Sequence, residues 1–347
     1  MSKFIKEENK DSIGFDFNCF PDKTIDELKE ISENIHEVVA FNSLGYVKNH
    51  VGNSEDIGSI CDLYINEEKI THFVEEKINI AMGNMKKDIT FVITTCKRLI
   101  LFIQTMNNFL YNCKDVYSIK KWICIDDNSS EKDRSTMKKM YPFFEFIFKD
   151  EIDKGHAKSL NIILDKVDTK YLLLFEDDWK CSTPFNISYY IDFLENKKYD
   201  QVLFHTRIPD YELCKYKSVY NINNKYIYEY SYFYNCPLKK TLNGPYYENF
   251  LKIEKELDIV HKASINATHG FHHPGFSLNP SIFNLDKIKS YNIRFKEDLE
   301  FNDSFELYFS FQCLINKFKV VFTKINIEHS GYFNSSYILN DMKRSFD

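Results

Sequence analysis

The sequence lacks several features that would point to common protein classes. Its nine cysteines form no C-x-x-C pair, which argues against a zinc ribbon or a thioredoxin-like redox site. Their odd number and irregular spacing favour free thiols in a reducing compartment. No uncharged apolar run reaches the ~18–20 residues that a membrane-spanning helix needs, and the first residues contain no apolar segment typical of a signal peptide. We therefore expect a cytoplasmic protein without a membrane span.

The chain also lacks a long basic run, and its net charge is −6. Nucleic acid is therefore not an expected partner. No internal repeat or low-complexity tract is present. Hydrophobic residues make up 44% of the 347 positions, which is enough for one large domain or two of ordinary size. The 31 Phe and 23 Tyr predict a core rich in aromatic side chains.

Residues 1–87 are rich in charged and polar side chains and contain no motif of chemical function. Thr24 followed by Glu27 is typical of a capping box, and the apolar spacing behind it predicts a helix. We expect these residues to form an N-terminal extension that packs on the main domain. A part in acceptor recognition is the alternative.

From residue 88 onward, predicted strands and helices alternate. Strands are predicted at 89–95, 122–125, 144–148 and 171–175, each followed by a helical pattern. Such alternation predicts an α/β fold with a mostly parallel central sheet flanked by helices. The alternation loosens after Trp179, and residues 209–262 show no clear periodicity. A late helix is predicted over residues 299–317, followed by a last strand over 319–323.

Two of the predicted strands end in acidic residues. Asp126-Asp127 follow the second strand, and Glu176-Asp177-Asp178 follow the fourth. The carboxyl ends of parallel strands are where open α/β sheets bind ligands. Three adjacent carboxylates repel each other, so the triplet predicts a divalent cation with oxygen ligands. The alternatives are an Asx turn at the first pair and a solvated acidic loop at the triplet.

Four motifs in this order resemble those of GT-A glycosyltransferases of the family 2 type. Thr94-Thr95-Cys96-Lys97-Arg98 is similar to their Thr-Tyr-Asn-Arg turn, and Ile125-Asp126-Asp127-Asn128-Ser129-Ser130 is similar to their Val-Asp-Asp-Gly-Ser. The stretch from Lys154 to Asn161 is similar to their Gly-x-x-x-Ala-x-Asn segment. The acidic triplet is similar to the DXD motif and to the Glu-Asp-Asp of N-acetylglucosaminyltransferases. The resemblance implies a GT-A domain over 88–347, divided into a nucleotide-binding half (88–180) and an acceptor-binding half (181–347).

The resemblance also implies roles for single residues. Asp127 would accept a ring N–H of the nucleobase, and Asp178 would bind Mn²⁺ or Mg²⁺ directly. Glu176 and Asp177 would reach the ribose or metal-bound waters. His329 would be a further metal ligand, with a histidine hydrogen-bonded in the turn as the alternative. The remaining candidates for nucleotide-sugar binding are Thr94, Arg98, Lys154 and Lys158.

Glycosyl transfer needs a base that takes the proton of the acceptor hydroxyl. The resemblance implies a carboxylate at the start of the late helix, where Asp303 fits best. The spacing departs from the family's Glu-Asp-x-Asp-Leu, so Glu300, Glu306 and Asp298 remain rivals. Acids at a helix N-terminus also complement the helix dipole, which is the plain structural alternative. The expected acceptor-side residues are His272, His273 and Gly275.

Together the motifs predict a metal-dependent hexosyl- or N-acetylhexosaminyltransferase of glycan biosynthesis. The donor would be a nucleotide-diphosphate sugar, with UDP preferred, and the acceptor a hydroxyl of a glycan or glycoconjugate, attacked with inversion. One alternative is a sugar-1-phosphate nucleotidyltransferase, but the loop after the first strand has no glycine for a triphosphate. The other alternative is a non-catalytic glycan-binding or scaffold protein of the same fold, in which the acids would be expected to be lost.

Overall fold

The structure is a computed structural model. It describes residues 4–12, 16–35, 38–49, 51, 55–56, 60–70, 87–181, 183–204, 218–222, 225–229, 276–298, 304–323 and 327–330. Within these residues, no helix is both long enough and apolar enough to cross a membrane.

Within the first part of the chain, the described residues include two antiparallel sheets and a helix over residues 25–34. Helix α1 (Ile25–Asn34) begins at the predicted capping box. Thr24 Oγ1 accepts a hydrogen bond from the backbone N–H of Glu27 at 3.3 Å. In return, the Glu27 carboxylate accepts one from the backbone N–H of Thr24 at 2.8 Å. The strands are β1 (Phe4–Glu7), β2 (Lys10–Asp11), β3 (Asp16–Cys19), β4 (Ala40–Asn42), β5 (Tyr46–Lys48), β6 (Glu55–Asp56) and β7 (Leu63–Asn66). Five of them pair in the order β1-β7-β4-β5-β3, and β2 pairs with β6. These strands were not predicted, because they are two to four residues long and show no clean alternation.

The main part of the chain alternates strands and helices as predicted. The strands are β8 (Ile89–Thr95), β9 (Lys121–Asp127), β10 (Glu145–Lys149), β11 (Tyr171–Glu176), β12 (Trp179–Cys181), β13 (Gln201–Leu203), β14 (Ser218–Ile222), β15 (Lys225–Glu229), β16 (Ser281–Asn284), β17 (Val320–Thr323) and β18 (Ile327–His329). The helices are α2 (Leu99–Asn112), α3 (Glu131–Met140), α4 (His156–Lys166), α5 (Ile187–Lys197), α6 (Leu285–Ser290) and α7 (Ser304–Ile315). Strands β14 and β15 lie in the stretch where the sequence showed no periodicity.

Nine strands of the main part form one sheet in the order β10-β9-β8-β11-β16-β13-β17-β15-β14. The neighbouring strands from β10 to β11 are parallel. Beyond β11 the sheet is mixed: β16 runs antiparallel to both of its neighbours, and β13 pairs with β17 in parallel. The prediction of an α/β sheet flanked by helices is confirmed, and the parallel region is the half that carries the two acidic strand ends.

The sheet is covered on both faces, which explains why every residue of β8 is buried. Along β8, Phe91 and Ile93 pack into one hydrophobic cluster, and Val92 packs into the cluster on the opposite face. The first cluster includes residues of α2, α3 and α5, and the second includes residues of α4, α6 and α7. The N-terminal strands contribute Leu63 and Ile65 to the first cluster, so they share a core with the main sheet.

Candidate active site

Two carboxylates of the acidic triplet, Asp177 and Asp178, contact the buried Arg98. Asp177 is fully buried and accepts from Thr95 Oγ1 at 2.7 Å, from the Cys96 N–H at 3.4 Å and from Arg98 Nε at 3.2 Å. Arg98 Nη1 also donates to Asp178 Oδ2 at 2.8 Å. Arg98 is the residue before α2, and its side chain is only 9% exposed, so the guanidinium supplies positive charge between the two carboxylates. Arg98 is therefore the counter-ion of the turn formed by Glu176, Asp177 and Asp178, which we call the acidic turn.

Asp178 meets His329 from the far end of the described chain. Strand β18 pairs antiparallel with β12 and sets His329 opposite Trp179. Asp178 Oδ2 then lies 3.3 Å from His329 Nε2. The His329 ring packs edge-on against the Trp179 indole at 4.9 Å between centroids, which fixes its orientation. The two predicted metal ligands are therefore side by side.

Two hydroxyl side chains fasten the backbone of the acidic turn. Thr105, on α2, donates its hydroxyl to the Asp177 carbonyl at 2.8 Å and accepts from the Trp179 N–H at 3.2 Å. Ser330 donates its N–H and its hydroxyl to the Asp178 carbonyl, at 2.8 and 3.0 Å. The turn is therefore attached to α2 on one side and to the segment after β18 on the other.

The two acids at the end of β9 have different surroundings. Asp126 is fully buried and accepts from the Ser129 N–H at 3.2 Å and from Arg134 Nε at 2.7 Å. This is the turn-capping arrangement given above as the alternative, and Asp126 fulfils it. Burial raises the pKa of Asp126, with Ser129 and Arg134 opposing that shift.

Asp127 is oriented by the last residue of β10 and by the loop that follows this strand. Its carboxylate accepts from the Gly155 N–H at 3.0 Å and lies 3.0 Å from the ammonium of Lys149. Gly155 precedes α4 and has φ +129°, a conformation that favours glycine. The loops after β8 and β9 are tied together, because the Lys97 N–H donates to Ser129 Oγ at 2.7 Å. Asp127 thus lies at the same carboxyl end of the parallel strands as the turn of Arg98.

Glu176 lies where the parallel strands approach α7. Its Oε1 is 3.2 Å from His156 Nε2, the first residue of α4, and the His156 ring packs edge-on against Phe305 of α7. Glu306, next to Phe305, accepts from the Leu278 N–H at 2.9 Å. Burial raises the pKa of Glu176, and the negative charges of Asp178 and Glu306 add to that shift while His156 opposes it. The charge of Glu306 therefore acts on Glu176, while its carboxylate is held by the Leu278 N–H.

The electrostatics of the turn follow from burial and from Arg98. Burial raises the pKa of Asp177 to about 6, against the opposing charge of Arg98. Burial also acts to raise the pKa of Asp178, but His329 and Arg98 outweigh it, and the pKa lies below its usual value. Burial alone would lower the pKa of Arg98, yet Asp177 and Asp178 raise it. The turn therefore favours an ionised Asp178 beside a charged Arg98.

The side chains of the turn are compatible with the divalent cation expected from the sequence. The Oδ1 of Asp178 is buried and makes no hydrogen bond, so it is an oxygen donor available to a cation. His329 is a second donor of a kind that binds transition metals. Among the described residues, no three His, Cys, Asp or Glu side chains form a group that could hold a metal alone. A cation here would thus take further ligands from the bound substrate or from water.

The other predicted site residues are placed as follows. Thr94 is buried at the end of β8, in register with Glu176. Lys154 pairs with Glu151, and Lys158 pairs with Asp153, in and just after the loop that precedes α4. Among the candidate bases, Glu306 and Asp298 are within the described residues. Five predicted residues lie outside the described residues: Glu300, Asp303, His272, His273 and Gly275.

Sequence reasoning missed three residues that the structure brings to the site. His156 contacts Glu176, Thr105 fastens the acidic turn, and Lys149 contacts Asp127. Lys149 had a usable signal, because it is the last residue of the strand beside the one that ends in Asp127. No sequence pattern indicated the role of Thr105, since threonine occurs in many helices without contacting a functional site.

Comparisons with known proteins agree with the sequence motifs. A family model described as "Glycosyl transferase family 2" matches residues 90–255. The comparison with curated proteins gives no match.

Several solved structures are distantly similar. S. aureus TarS 1-349 in complex with UDP is 13% identical, with a TM-score of 0.43, over 69% of this chain and 57% of that chain. GalNAc-T7 with UDP, GalNAc and Mn²⁺ is 11% identical, with a TM-score of 0.44, over 71% of this chain and 44% of that chain. The mannosyltransferase PcManGT from Pyrobaculum calidifontis, in complex with GDP-Man and Mn²⁺, is 9% identical, with a TM-score of 0.42, over 73% of this chain and 62% of that chain. This chain spans less than two thirds of the length of each of them.

The family match covers the four parallel strands, both acidic strand ends and the loop that precedes α4. It therefore falls on the elements that build the site described above. Residues 90–255 therefore match the glycosyl transferase family 2 model, and the described part of this segment lies within an α/β sheet flanked by helices.

Proposed function

We propose that this protein is a metal-dependent glycosyltransferase that uses a nucleotide-diphosphate sugar, preferably a UDP-sugar. The observation that carries the proposal is the meeting of Asp178 with His329 at the carboxyl end of the parallel strands, where Asp127 also lies. The family 2 segment supports the same reaction class. The acceptor is a hydroxyl of a glycan or glycoconjugate, which makes the reaction a step of glycan biosynthesis, with a hexosyl or N-acetylhexosaminyl group transferred.

Asp127 and the parallel strand ends form the nucleotide side of the proposed site. Asp127 accepts a ring N–H of the base, because an ionised carboxylate only accepts hydrogen bonds. Glu176 is partly exposed and contacts His156, which supports its proposed role at the ribose or at metal-bound waters. Asp177 is buried under Arg98 and serves to position the guanidinium. Lys154 and Lys158 remain proposed contacts of the donor at the loop before α4.

Asp178 and His329 are the proposed ligands of Mn²⁺ or Mg²⁺. When bound, the cation supplies positive charge that stabilises the departing diphosphate. Arg98 adds a second positive charge next to Asp178, where it can also compensate phosphate. In this proposal the triplet Glu176-Asp177-Asp178 has the function of a DXD motif, and Asp178 is its one carboxylate that binds the metal.

The proposed transfer is a single displacement with inversion. The acceptor oxygen attacks the anomeric carbon, the bond from that carbon to the diphosphate oxygen breaks, and a carboxylate takes the hydroxyl proton. Asp303 remains the first proposed base, with Glu300, Glu306 and Asp298 as rivals. Glu306 and Asp298 lie within the described residues, and the charge of Glu306 acts on Glu176. His272, His273 and Gly275 are proposed on the acceptor side.

The division of the chain is also proposed, with an extension over 1–87 and a GT-A domain over 88–347. The shared core of Leu63 and Ile65 with the main sheet supports an extension that packs on that domain. A cytoplasmic location is proposed from the irregular cysteine spacing, and each of the seven described cysteines is a free thiol.

The test is a thermal-shift screen of nucleoside diphosphates and their sugars, with and without Mn²⁺, followed by an assay of nucleotide release. We expect UDP or a UDP-sugar to raise the melting temperature, and more so with Mn²⁺. Failure of every nucleotide to stabilise the protein would overturn the proposal and favour the scaffold alternative. Formation of a sugar nucleotide from UTP and a sugar 1-phosphate would instead show a nucleotidyltransferase.

A further inference from the structure

Lys149 is a buried lysine with three specific acceptors. Its residue is 3% exposed, and its Nζ lies 3.0 Å from Asp127 Oδ1, 2.5 Å from the Gly155 carbonyl and 2.7 Å from Ser159 Oγ. An ammonium group has three N–H donors, so each can be assigned to one acceptor. A charge this far from water needs such partners, because an unpaired buried charge is strongly unfavourable. The position of the ammonium is therefore well determined.

The pairing with Asp127 follows from strand register. In the parallel pair of β9 and β10, Lys149 lies directly across from Asp127, and both are the last residues of their strands. The chain then turns back, and Gly155 presents its N–H to the same carboxylate at 3.0 Å while its carbonyl accepts from Lys149. Lys149, Gly155 and Asp127 thus form a closed ring of polar contacts that defines which way the carboxylate faces.

This ring affects the choice of nucleobase. A carboxylate paired with an ammonium and an N–H keeps acceptor lone pairs and has no hydrogen to donate. Uracil N3 and guanine N1 carry a hydrogen and can donate it to the carboxylate. Cytosine N3 and adenine N1 are acceptors, so their lone pairs would repel those of the carboxylate. Selection would then come mainly from rejection of bases whose ring nitrogen presents a lone pair to the carboxylate.

We infer that Lys149 is a positioning residue that holds Asp127 as an acceptor-only contact for the nucleobase and so selects donors with a ring N–H, uracil or guanine, over cytosine or adenine. This inference rests on the proposed function, in which Asp127 contacts the base. It adds a residue that does not touch the substrate but sets which nucleotide is accepted.

The test measures binding of UDP and CDP by titration calorimetry with Mn²⁺ present. In the natural protein we expect UDP to bind at least about tenfold more tightly than CDP, since a site that hydrogen-bonds an N–H strongly rejects its absence. Lys149→Met should weaken UDP binding by about tenfold or more and CDP binding much less, because the carboxylate loses its fixed direction. The ratio of the two affinities should fall accordingly.

A matched control and a double mutant separate positioning from general damage. Lys166→Met removes an exposed lysine in the last turn of α4 and should leave both affinities unchanged. In an Asp127→Asn background, Lys149→Met should change UDP binding by less than about twofold, because a residue that acts through another shows no further effect once its target is gone. If Lys149→Met does not fold, Lys149→Gln replaces it in the same cycle.

Two results would contradict the inference while leaving the proposed function standing. One is a Lys149→Met protein that keeps the UDP to CDP ratio of the natural protein. The other is an equal loss of UDP affinity with and without Asp127. Absence of nucleotide binding in the natural protein, or UDP binding unaffected by Asp127→Asn, would instead remove the proposed function itself.

Discussion

Asp178 Oδ2 lies 3.3 Å from His329 Nε2, although Asp178 follows β11 and His329 ends the last described strand. The contact is made possible by β18, which pairs with β12 immediately after the acidic turn. The Ser330 hydrogen bonds to the Asp178 carbonyl keep the two segments together. Because the two side chains come from separate segments, each can be substituted on its own.

Asp178→Ala should abolish Mn²⁺-dependent binding of UDP without unfolding the protein. His329→Ala should raise the dissociation constant of Mn²⁺ by about tenfold or more, as loss of groups at metal sites commonly does. Both are measured by titration calorimetry and by electron paramagnetic resonance of free Mn²⁺. Asp168→Ala, which removes an exposed carboxylate paired with Lys121, is the matched control. Undiminished Mn²⁺-dependent binding in Asp178→Ala would remove the metal assignment.

Arg98→Met should destabilise the fold by about 3–5 kcal/mol, the cost of leaving buried charges without their partner. Asp177 and Asp178 would then face each other without the guanidinium between them. Arg98→Lys should recover only part of the loss, because an ammonium cannot reproduce the forked contacts to two carboxylates. The measurement is urea unfolding at pH 7. Equal stability of Arg98→Met and the natural protein would show that the acidic turn does not need this cation.

Thr105→Val should lower the free energy of unfolding by about 1–3 kcal/mol, because it leaves the Asp177 carbonyl and the Trp179 N–H unsatisfied. The same change should weaken Mn²⁺ binding, since the turn that presents Asp178 loses its attachment to α2. Thr105→Ser retains the hydroxyl and should restore both properties. Stability and Mn²⁺ titrations of the three proteins test this, and a Thr105→Val protein with natural Mn²⁺ affinity would contradict it.

Glu27→Gln should destabilise the protein at pH 7 but not near pH 2. Hydrogen bonds from Lys23 and Thr24 lower the pKa of Glu27 to about 2. A carboxyl with a lowered pKa in the folded state contributes stability that is present above its ordinary pKa and is lost as the pH falls toward 2. Unfolding curves of both proteins at several pH values measure the difference. A difference that does not shrink between pH 5 and pH 2 would be inconsistent with the capping box.

The parallel half of the sheet was predictable because its strands are short apolar runs with helical patterns between them. Buried strands such as β8 and β11 are apolar on both faces, and this is visible without tertiary information. The convergence of Asp178 and His329 was also anticipated, through the resemblance. The N-terminal sheet was not, since two- to four-residue strands depend on pairing partners that a single sequence does not show.

The different burial and contact partners of Glu176, Asp177 and Asp178 could not be derived from the sequence. Successive residues in a turn point in different directions, and only the packed structure decides which one is buried. Here Asp177 lies under Arg98, Asp178 meets His329, and Glu176 meets His156. The same applies at the end of β9, where Asp126 caps the turn and Asp127 faces Lys149.

The pairing of β12 with β18 also has a consequence for biosynthesis. Translation reaches Asp178 well before Ile327–His329. Until His329 has been synthesised, Asp178 can contact Arg98 but not the His329 imidazole. The contact between Asp178 and His329 can therefore form only after translation has passed residue 329.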